Sequence, residues 1–167
     1  KKYMKITLNK WIFNCMKTND LILVQEADFD INQHYQKLLQ INPSNSGAAV
    51  LFIGLVRDLD DAKVEAMQLE HYPGMTEVCL QQIVDKARLR WSLEGVHIVH
   101  RVGKLLRHEQ IVLVGVTSRH RSDAFSACEF VMDYLKQDAP FWKAEYTEHG
   151  KQWVEVKASD QQANERW

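Results

Sequence analysis

Short apolar runs alternate with amphipathic segments along the chain, without a regular strand-helix-strand repeat. Runs rich in branched apolar residues predict strands at 21–24, 48–56, 64–69, 96–102 and 111–116. The run 48–56 is apolar almost throughout, which favours a strand buried in the middle of a sheet. Two more runs, 141–146 and 153–156, flank His149-Gly150 and predict a hairpin.

Helical spacing of apolar residues marks the segments between these strands. Asp30 is placed to cap a short helix that ends at the turn-rich run 42–47. Longer helices are predicted at 76–90 and 121–137, and Ser159 is placed to cap a short helix ending at Trp167. The apolar faces predicted for the two long helices are Val78, Ile83, Val84 and Ala87, and Ala124, Phe125, Cys128, Val131, Met132 and Leu135. The pattern predicts one α+β domain with mixed strands and two main helices.

Composition narrows the classes of function. A chain of 167 residues with formal net charge −1 fits one domain and argues against a general nucleic-acid binder, so any cationic site must be local. No run approaches the 20 or so apolar residues of a membrane span. The three cysteines form no CxxC pair, which leaves a zinc or dithiol site without support. We expect Cys79 and Cys128 to be packing residues.

The first nineteen residues differ from the rest. Lys1, Lys2 and Lys5 precede an apolar group, 11–13, that is too short for a signal peptide. We expect residues 1–19 to be a disordered or non-native extension, with Met16 a possible natural start, and residues 20–167 to form the domain.

A basic turn is the first candidate for chemistry. Residues 117–122, Thr-Ser-Arg-His-Arg-Ser, join an apolar strand to the start of the longest predicted helix. A helix N-terminus already favours anions, and Arg119, His120 and Arg121 add positive charge there, so a phosphate site is predicted. The alternative is a solvated basic turn in which Ser118 or Ser122 simply caps the helix.

Two lysines and an arginine complete the candidates. Lys143 follows a bulky apolar run, 140–142, which can desolvate it and make it a base or nucleophile; the alternative is a lysine facing solvent. Lys136 suits the last helical turn in any case. Arg57 follows a buried strand and suits binding, or an ion pair with Asp58, Asp60 or Asp61. No metal-ligand spacing involves the histidines, and no Walker or GxSxG motif occurs.

Several longer motifs, in order, resemble one family. They are Glu70–Thr76 (EHYPGMT), Gly115–Ser122 (GVTSRHRS), Met132–Lys136 (MDYLK), Ala139–Lys143 (APFWK) and the closing Ser159–Ala163 (SDQQA) with Arg166-Trp167. Together they resemble the large, catalytic subunit of molybdopterin synthase over roughly residues 20–167. The resemblance implies an α+β fold with an α/β-hammerhead element.

The resemblance also implies an activity and partners. The family installs two sulfurs in cyclic pyranopterin monophosphate, and the sulfur arrives as a thiocarboxylate on a small ubiquitin-like subunit. A cytoplasmic sulfurtransferase is therefore expected, a homodimer with a small subunit at each end, giving a heterotetramer. No cofactor, metal, nucleic acid or membrane is implied. The competing hypotheses are a non-catalytic scaffold that binds the same ligands and, less favoured, an RNA-binding module.

Site residues follow from the matched motifs. His120 and Arg121 would grip the substrate, and Lys136 and Lys143 match the family's two essential lysines. Arg57 would contact substrate across the dimer. The remaining substrate-binding residues implied are Leu55, Val56, Ala144 and Glu145. Relatives often have lysine where this chain has Leu55, and some have arginine where it has Lys157. If those side chains contact the substrate in the relatives, this chain should bind the substrate more weakly.

Overall fold

A computed structural model describes residues 20–58, 63–148, 150–154 and 166–167. This part of the chain forms three helices and two four-stranded sheets. The elements are β1 (Leu21–Gln25), α1 (Ile31–Ile41), β2 (Ala48–Leu55), β3 (Val64–His71), α2 (Met75–Arg90), β4 (Leu93–Arg101), β5 (Gly103–Leu106), β6 (Gln110–Ser118), α3 (Arg121–Asp138), β7 (Phe141–Thr147) and β8 (Gly150–Val154). The predicted α+β class, with two main helices, is confirmed.

The first sheet, sheet A, has the strand order β1-β4-β6-β2. β1 pairs with β4 in parallel, and the other pairings are antiparallel. The prediction of a buried central strand at 48–56 is therefore wrong, because β2 is an edge strand among the described strands. Its apolar side chains stay partly accessible on both faces, Phe52 being 41% and Leu55 53% exposed. Apolar composition gave the strand but not its place in the sheet.

Sheet A carries helices on both faces. α2 and α3 pack on one face over a core that includes Ile98 and Val114, and α1 covers the other. Two glycines permit the close approach of α1: a Cβ at Gly95 would overlap Ile41, and one at Gly115 would overlap Leu38. A side chain at either position would force Ile41 or Leu38 to repack against the sheet.

The helices begin and pack largely where expected, with two errors. Asp30 caps α1 as predicted, its Oδ1 accepting from the Gln33 amide at 3.1 Å. In α2, Val78 is 53% exposed and Leu80 is buried in its place. In α3, Phe125 is 63% exposed. Phe125 lies at the margin of the buried face of α3, where apolar spacing alone does not define the limit of contact, whereas Val78 lies on the side of α2 opposite its buried residues.

The second sheet, sheet B, has the order β5-β3-β7-β8 and is antiparallel. The hairpin β7–β8 is confirmed, whereas β5 escaped prediction because its four residues include Gly103 and Lys104. A small core beneath this sheet contains Val56, Val64, Met67, Leu69 and Leu105. Val56 directly follows β2 of sheet A and packs in the core of sheet B, so it connects the two sheets.

The remaining sequence predictions concern the cysteines, membrane-spanning helices and residues that the structure does not describe. Cys128 is buried, as predicted, and burial raises the pKa of its thiol to about 12; Cys79 is only half-buried. Within the described ranges no helix is long and apolar enough to cross a membrane. Residues 1–19, His149, Asp60, Asp61, Lys157 and the helix expected after Ser159 lie outside the described residues.

Three histidines are buried: His97 and His100 on β4 of sheet A, and His34 on α1, which packs against that sheet. His34 on α1 and His97 on β4 meet edge-to-face, with ring centroids 5.8 Å apart, and the Nδ1 atom of each has no partner. Burial, then neighbouring His34, lowers the pKa of His97 to about 4 against an opposing effect of Asp20. His100 stacks on Phe141 at 3.8 Å, and burial lowers its pKa to about 4 as well.

We expect acid to destabilise the fold through these histidines. The pKa of His97 and that of His100 are about 4 when folded and about 6.5 when unfolded, so between those values the unfolded state binds more protons. Stability is then fully present above about pH 6.5 and falls as the pH approaches 4, by about 1–3 kcal/mol per histidine. Urea unfolding of the chain and of His97→Gln from pH 7 to 4 measures this, and an equal pH slope in the variant would contradict it.

Candidate active site

The basic turn between β6 and α3 forms one cavity. Arg119, His120, Arg121 and Ser122 line it together with Gly47, around a volume of about 480 Å³. All three basic side chains are exposed. His120 is the N-cap of α3, and no side chain caps this helix end. The amide groups of the first turn therefore add their partial positive charge to the basic side chains, which favours an anion.

The serines of the turn act locally and do not cap α3 in the way the simple alternative required. Ser118 is buried, and its hydroxyl donates to the Ser92 carbonyl oxygen at 2.8 Å. The Ser118 hydroxyl oxygen also accepts from the His120 amide at 3.4 Å. Ser122 donates to Asp123 at 3.4 Å. Ser118 thus holds the backbone of the turn in place, and Arg119, His120 and Arg121 remain accessible to a ligand.

Gly47 sets the opposite wall of this cavity. Its amide donates to the Ser118 carbonyl oxygen at 3.0 Å, and a Cβ at this position would overlap the carbonyl oxygen of Arg119. The loop before β2 can therefore reach the turn only with glycine at this point. The sequence showed Gly47 as a turn residue but gave no sign of its contact with Arg119.

Lys136 lies at the other end of α3, beside a second cavity of about 480 Å³. This cavity lies between α3 and the edge strand β2. Its lining is mainly apolar, including Phe52, Phe125 and Met132. The charged residues of the lining are Glu129, Asp133, Lys136 and Arg166. Such a groove suits an extended chain segment whose end carries a negative charge.

Lys143 lies on β7, shortly after α3 ends. Its Nζ is 2.5 Å from Glu145 Oε1, with the lysine side chain 34% and the glutamate side chain 6% exposed. The partner of Lys143 is thus a carboxylate, which the sequence analysis did not predict. Ala144 points to the opposite face of the strand and is fully buried. A ligand at Lys143 would therefore meet Glu145 as well, but not the Ala144 side chain.

The segment after β2 places its three predicted residues differently. Leu55 is 53% exposed, and Arg57 is exposed with Nη1 donating to the Asp58 carbonyl oxygen at 2.9 Å. Val56 is fully buried, and its N–H and C=O both bond to the β5–β6 segment at 2.9 Å. The backbone of Val56 is therefore held by the β5–β6 segment, and its side chain is enclosed in the core. Asp58 pairs with Arg107 at 2.8 Å.

The fold separates the predicted residues into two groups. α3 returns along β6, and β2 is antiparallel to β6, so α3 and β2 run in the same direction. Fifteen residues of helix place Arg121 about 22 Å from Lys136. Arg57 follows the far end of β2 and lies at the Lys136 end. Within one chain, His120 and Arg121 are thus remote from the lysines.

Sequence reasoning missed the charged neighbours of Lys136. Asp133 and Arg166 meet at 2.8 Å beside the cavity, although 33 residues separate them. The helical spacing of Glu129, Asp133 and Lys136 put these three on one face of α3, which is the one available sequence signal. Within the described ranges no group of three or more His, Cys, Asp or Glu side chains is placed to hold a metal ion.

Comparison with known proteins decides the family. Residues 24–138 match the family model described as MoaE protein. The chain is 53% identical over 147 residues to the molybdopterin synthase catalytic subunit of Ralstonia nicotianae, covering 87% of this chain and 83% of that one. The chain belongs to the MoaE family of molybdopterin synthase catalytic subunits. It is therefore an enzyme of molybdenum cofactor biosynthesis.

Further MoaE relatives agree in sequence and in fold. The Escherichia coli K12 catalytic subunit is 51% identical over 148 residues, covering 87% of this chain and 97% of that one. The MoaE structure from Burkholderia ambifaria superposes with a TM-score of 0.77 at 50% identity, covering 89% and 97%. Molybdopterin synthase from Staphylococcus aureus gives 0.74 at 32% identity, covering 80% and 96%.

We expect Gly47→Ala to weaken anion binding at the basic turn. The added methyl group would push the Arg119 carbonyl aside and displace the turn, so affinity for inorganic phosphate should fall about fivefold, or about 1 kcal/mol. Calorimetric titration with phosphate measures the change. Gly54→Ala is the matched control, since its Cβ would meet the Val112 side chain. Equal phosphate affinity of Gly47→Ala and the parent chain would contradict the assignment.

Proposed function

We propose that this MoaE chain transfers sulfur from the thiocarboxylated C-terminus of a small ubiquitin-like subunit to cyclic pyranopterin monophosphate, two sulfurs forming the dithiolene of molybdopterin. The observation that carries the proposal is the pair of cavities beside α3, one lined by the basic turn and the other mainly apolar with Lys136 in its lining. One suits a phosphate and the other suits a chain terminus beside a lysine. A reaction between an anionic small molecule and an acyl donor needs both.

The phosphate of the substrate is assigned to the basic turn. His120 and Arg121 lie there with the helix N-terminus, and guanidinium groups bind phosphate oxygens in a bidentate manner. We assign the thiocarboxylate to the apolar cavity that ends at Lys136. Lys136 would stabilise negative charge formed on the acyl group, and Lys143 would act as general base or transient nucleophile; these two roles can be exchanged.

The cysteines support delivery of sulfur by a partner. A persulfide enzyme needs a thiol that ionises readily in an accessible cationic site. Cys128 is buried with a pKa of about 12, and Cys79 lies on α2, away from both cavities. Free thiols also suit a reducing compartment, so we place the reaction in the cytoplasm.

A homodimer would unite the separated halves of the site. Among the described strands, β2 has no partner on its outer edge, where the apolar side chains Phe52 and Leu55 are exposed. Antiparallel pairing of two β2 strands about a two-fold axis at the strand centre would put Ala48 of one protomer opposite Leu55 of its partner. The basic turn after Ser118, which is paired with Ala48, would then lie beside the Lys136 end of the partner.

This arrangement changes which residues cross the dimer. The sequence suggested that Arg57 reaches into the partner's pocket. Since Arg57 and Lys136 lie at the same end of their own chain, we propose that His120 and Arg121 cross instead. Leu55 would lie at the dimer contact. An apolar side chain packs there more favourably than the lysine that relatives often have at this position.

The small subunit is the second proposed partner. A solved complex of subunits 1 and 2 of the Helicobacter pylori molybdopterin-converting factor contains a chain with this fold, at a TM-score of 0.68 and 18% identity. For the present chain, support comes from the cavity beside Lys136, which is open and mostly apolar.

Replacing Lys143 by alanine should abolish product formation. The change removes the side-chain amine beside Glu145 that is proposed as base or nucleophile, and such a group is worth at least about a hundredfold in rate. The assay uses thiocarboxylated small subunit and cyclic pyranopterin monophosphate, with circular dichroism to show that the variant is folded. Near-normal turnover would refute catalysis by Lys143 and would favour a binding scaffold.

Mixed dimers test which residues of one protomer reach into the active site of its partner. Arg121→Ala and Lys143→Ala homodimers, each inactive, should regain about a quarter of parental activity after mixing, because half of the dimers are mixed and each has one intact site. Arg57→Ala mixed with Lys143→Ala is the matched control and should stay inactive. Recovery by the Arg57 pair alone would reverse the assignment.

A further inference from the structure

Two carboxylates line the cavity in which the donor tail is expected. Glu129 and Asp133 are one helical turn apart on α3, and Lys136 follows three residues later. Like charges at this spacing repel each other, and both repel an anion approaching Lys136. Taken alone, this face of α3 carries two negative charges and one positive charge, which is unsuited to a thiocarboxylate.

Arg166 binds both carboxylates at once. Its Nη1 lies 2.8 Å from Glu129 Oε1, and its Nη2 lies 2.8 Å from Asp133 Oδ2. Its Nε also donates to Asp133 Oδ2, at 3.2 Å. The fork of one guanidinium thus covers both acids, and the charged lining of the cavity becomes neutral overall.

Trp167 anchors this arginine. Its indole Nε1 donates to Asp133 Oδ2 at 2.7 Å, and its ring meets Trp91 and Phe130 edge-to-face at 5.7 and 5.5 Å. Arg90 donates to its carbonyl oxygen. Arg166 is therefore attached to a docked aromatic residue, and its guanidinium is held over α3 although its side chain is 48% exposed.

We propose that Arg166 is a positioning residue for the sulfur donor: by neutralising Glu129 and Asp133 it admits the anionic tail of the small subunit to Lys136. The inference rests on the proposed function, since it takes the cavity beside Lys136 as the binding site of the tail. Arg166 acts through the two carboxylates and does not touch the reacting atoms. Its effect should appear in binding of the donor and not in the chemical step.

Steady-state kinetics with the thiocarboxylated small subunit test this role. Arg166→Gln should raise the KM for the small subunit about fivefold at low salt, with kcat and the KM for the pterin substrate little changed. The increase should shrink at high salt because the effect is electrostatic. Lys151→Gln, which removes the same charge on β8, is the matched control and should leave the KM unchanged.

Rescue separates charge from structure. The double variant Arg166→Gln with Glu129→Gln should return the KM to within about twofold of the parent, and Arg166→Lys should stay close to it. The single variant Glu129→Gln, which keeps Arg166, should lower the KM. This last variant tests the proposal even if Arg166→Gln does not fold.

Three results would overturn the proposal. They are an unchanged KM in Arg166→Gln, a KM in Glu129→Gln that does not fall, and a loss of kcat with a lower Tm that Glu129→Gln does not restore. Failure of the proposed function is distinguishable, because Lys143→Ala would then keep normal turnover whatever Arg166 does. Loss of turnover in Lys143→Ala with an unaltered KM in Arg166→Gln would reject the role of Arg166 alone.

Discussion

The packing of α3 along β6 and beside β2 is the contact on which the rest of the molecule depends. Buried side chains of α3, among them Cys128 and Val131, join those of β4 and β6 in the main core. Because the helix is anchored along its length, its two ends are held apart. One end presents the basic turn, and the other presents Lys136 beside an apolar cavity.

Charge in this nearly neutral protein is distributed by the same helix. Its N-terminus collects Arg119, His120 and Arg121, whereas its last turns carry carboxylates that need Arg166 as their counter-ion. Lys143, on the strand that follows, is paired with Glu145. The ion pairs of Lys143 and Arg166 therefore determine how much positive charge is available to a ligand at each place.

Local sequence predicted the elements well because their causes are local. Asp30 caps α1 through its own side chain, and the apolar spacing of α3 follows the turn of the helix. Residues whose environment depends on distant segments were predicted less well. Phe125 and Val78 were assigned to the core and are exposed, and β2 was assigned to the centre of a sheet and lies at its edge.

The sequence by itself determined the α+β class and the family, and it marked the basic turn and the two lysines as candidates for chemistry, because these depend on residue types within continuous segments. The tertiary structure alone decided that Arg121 and Lys136 lie at opposite ends of one helix, that Val56 is enclosed in the core, and that Arg166 covers two acids on α3. These are relations between segments far apart in the chain, and only packing brings such segments together or keeps them apart.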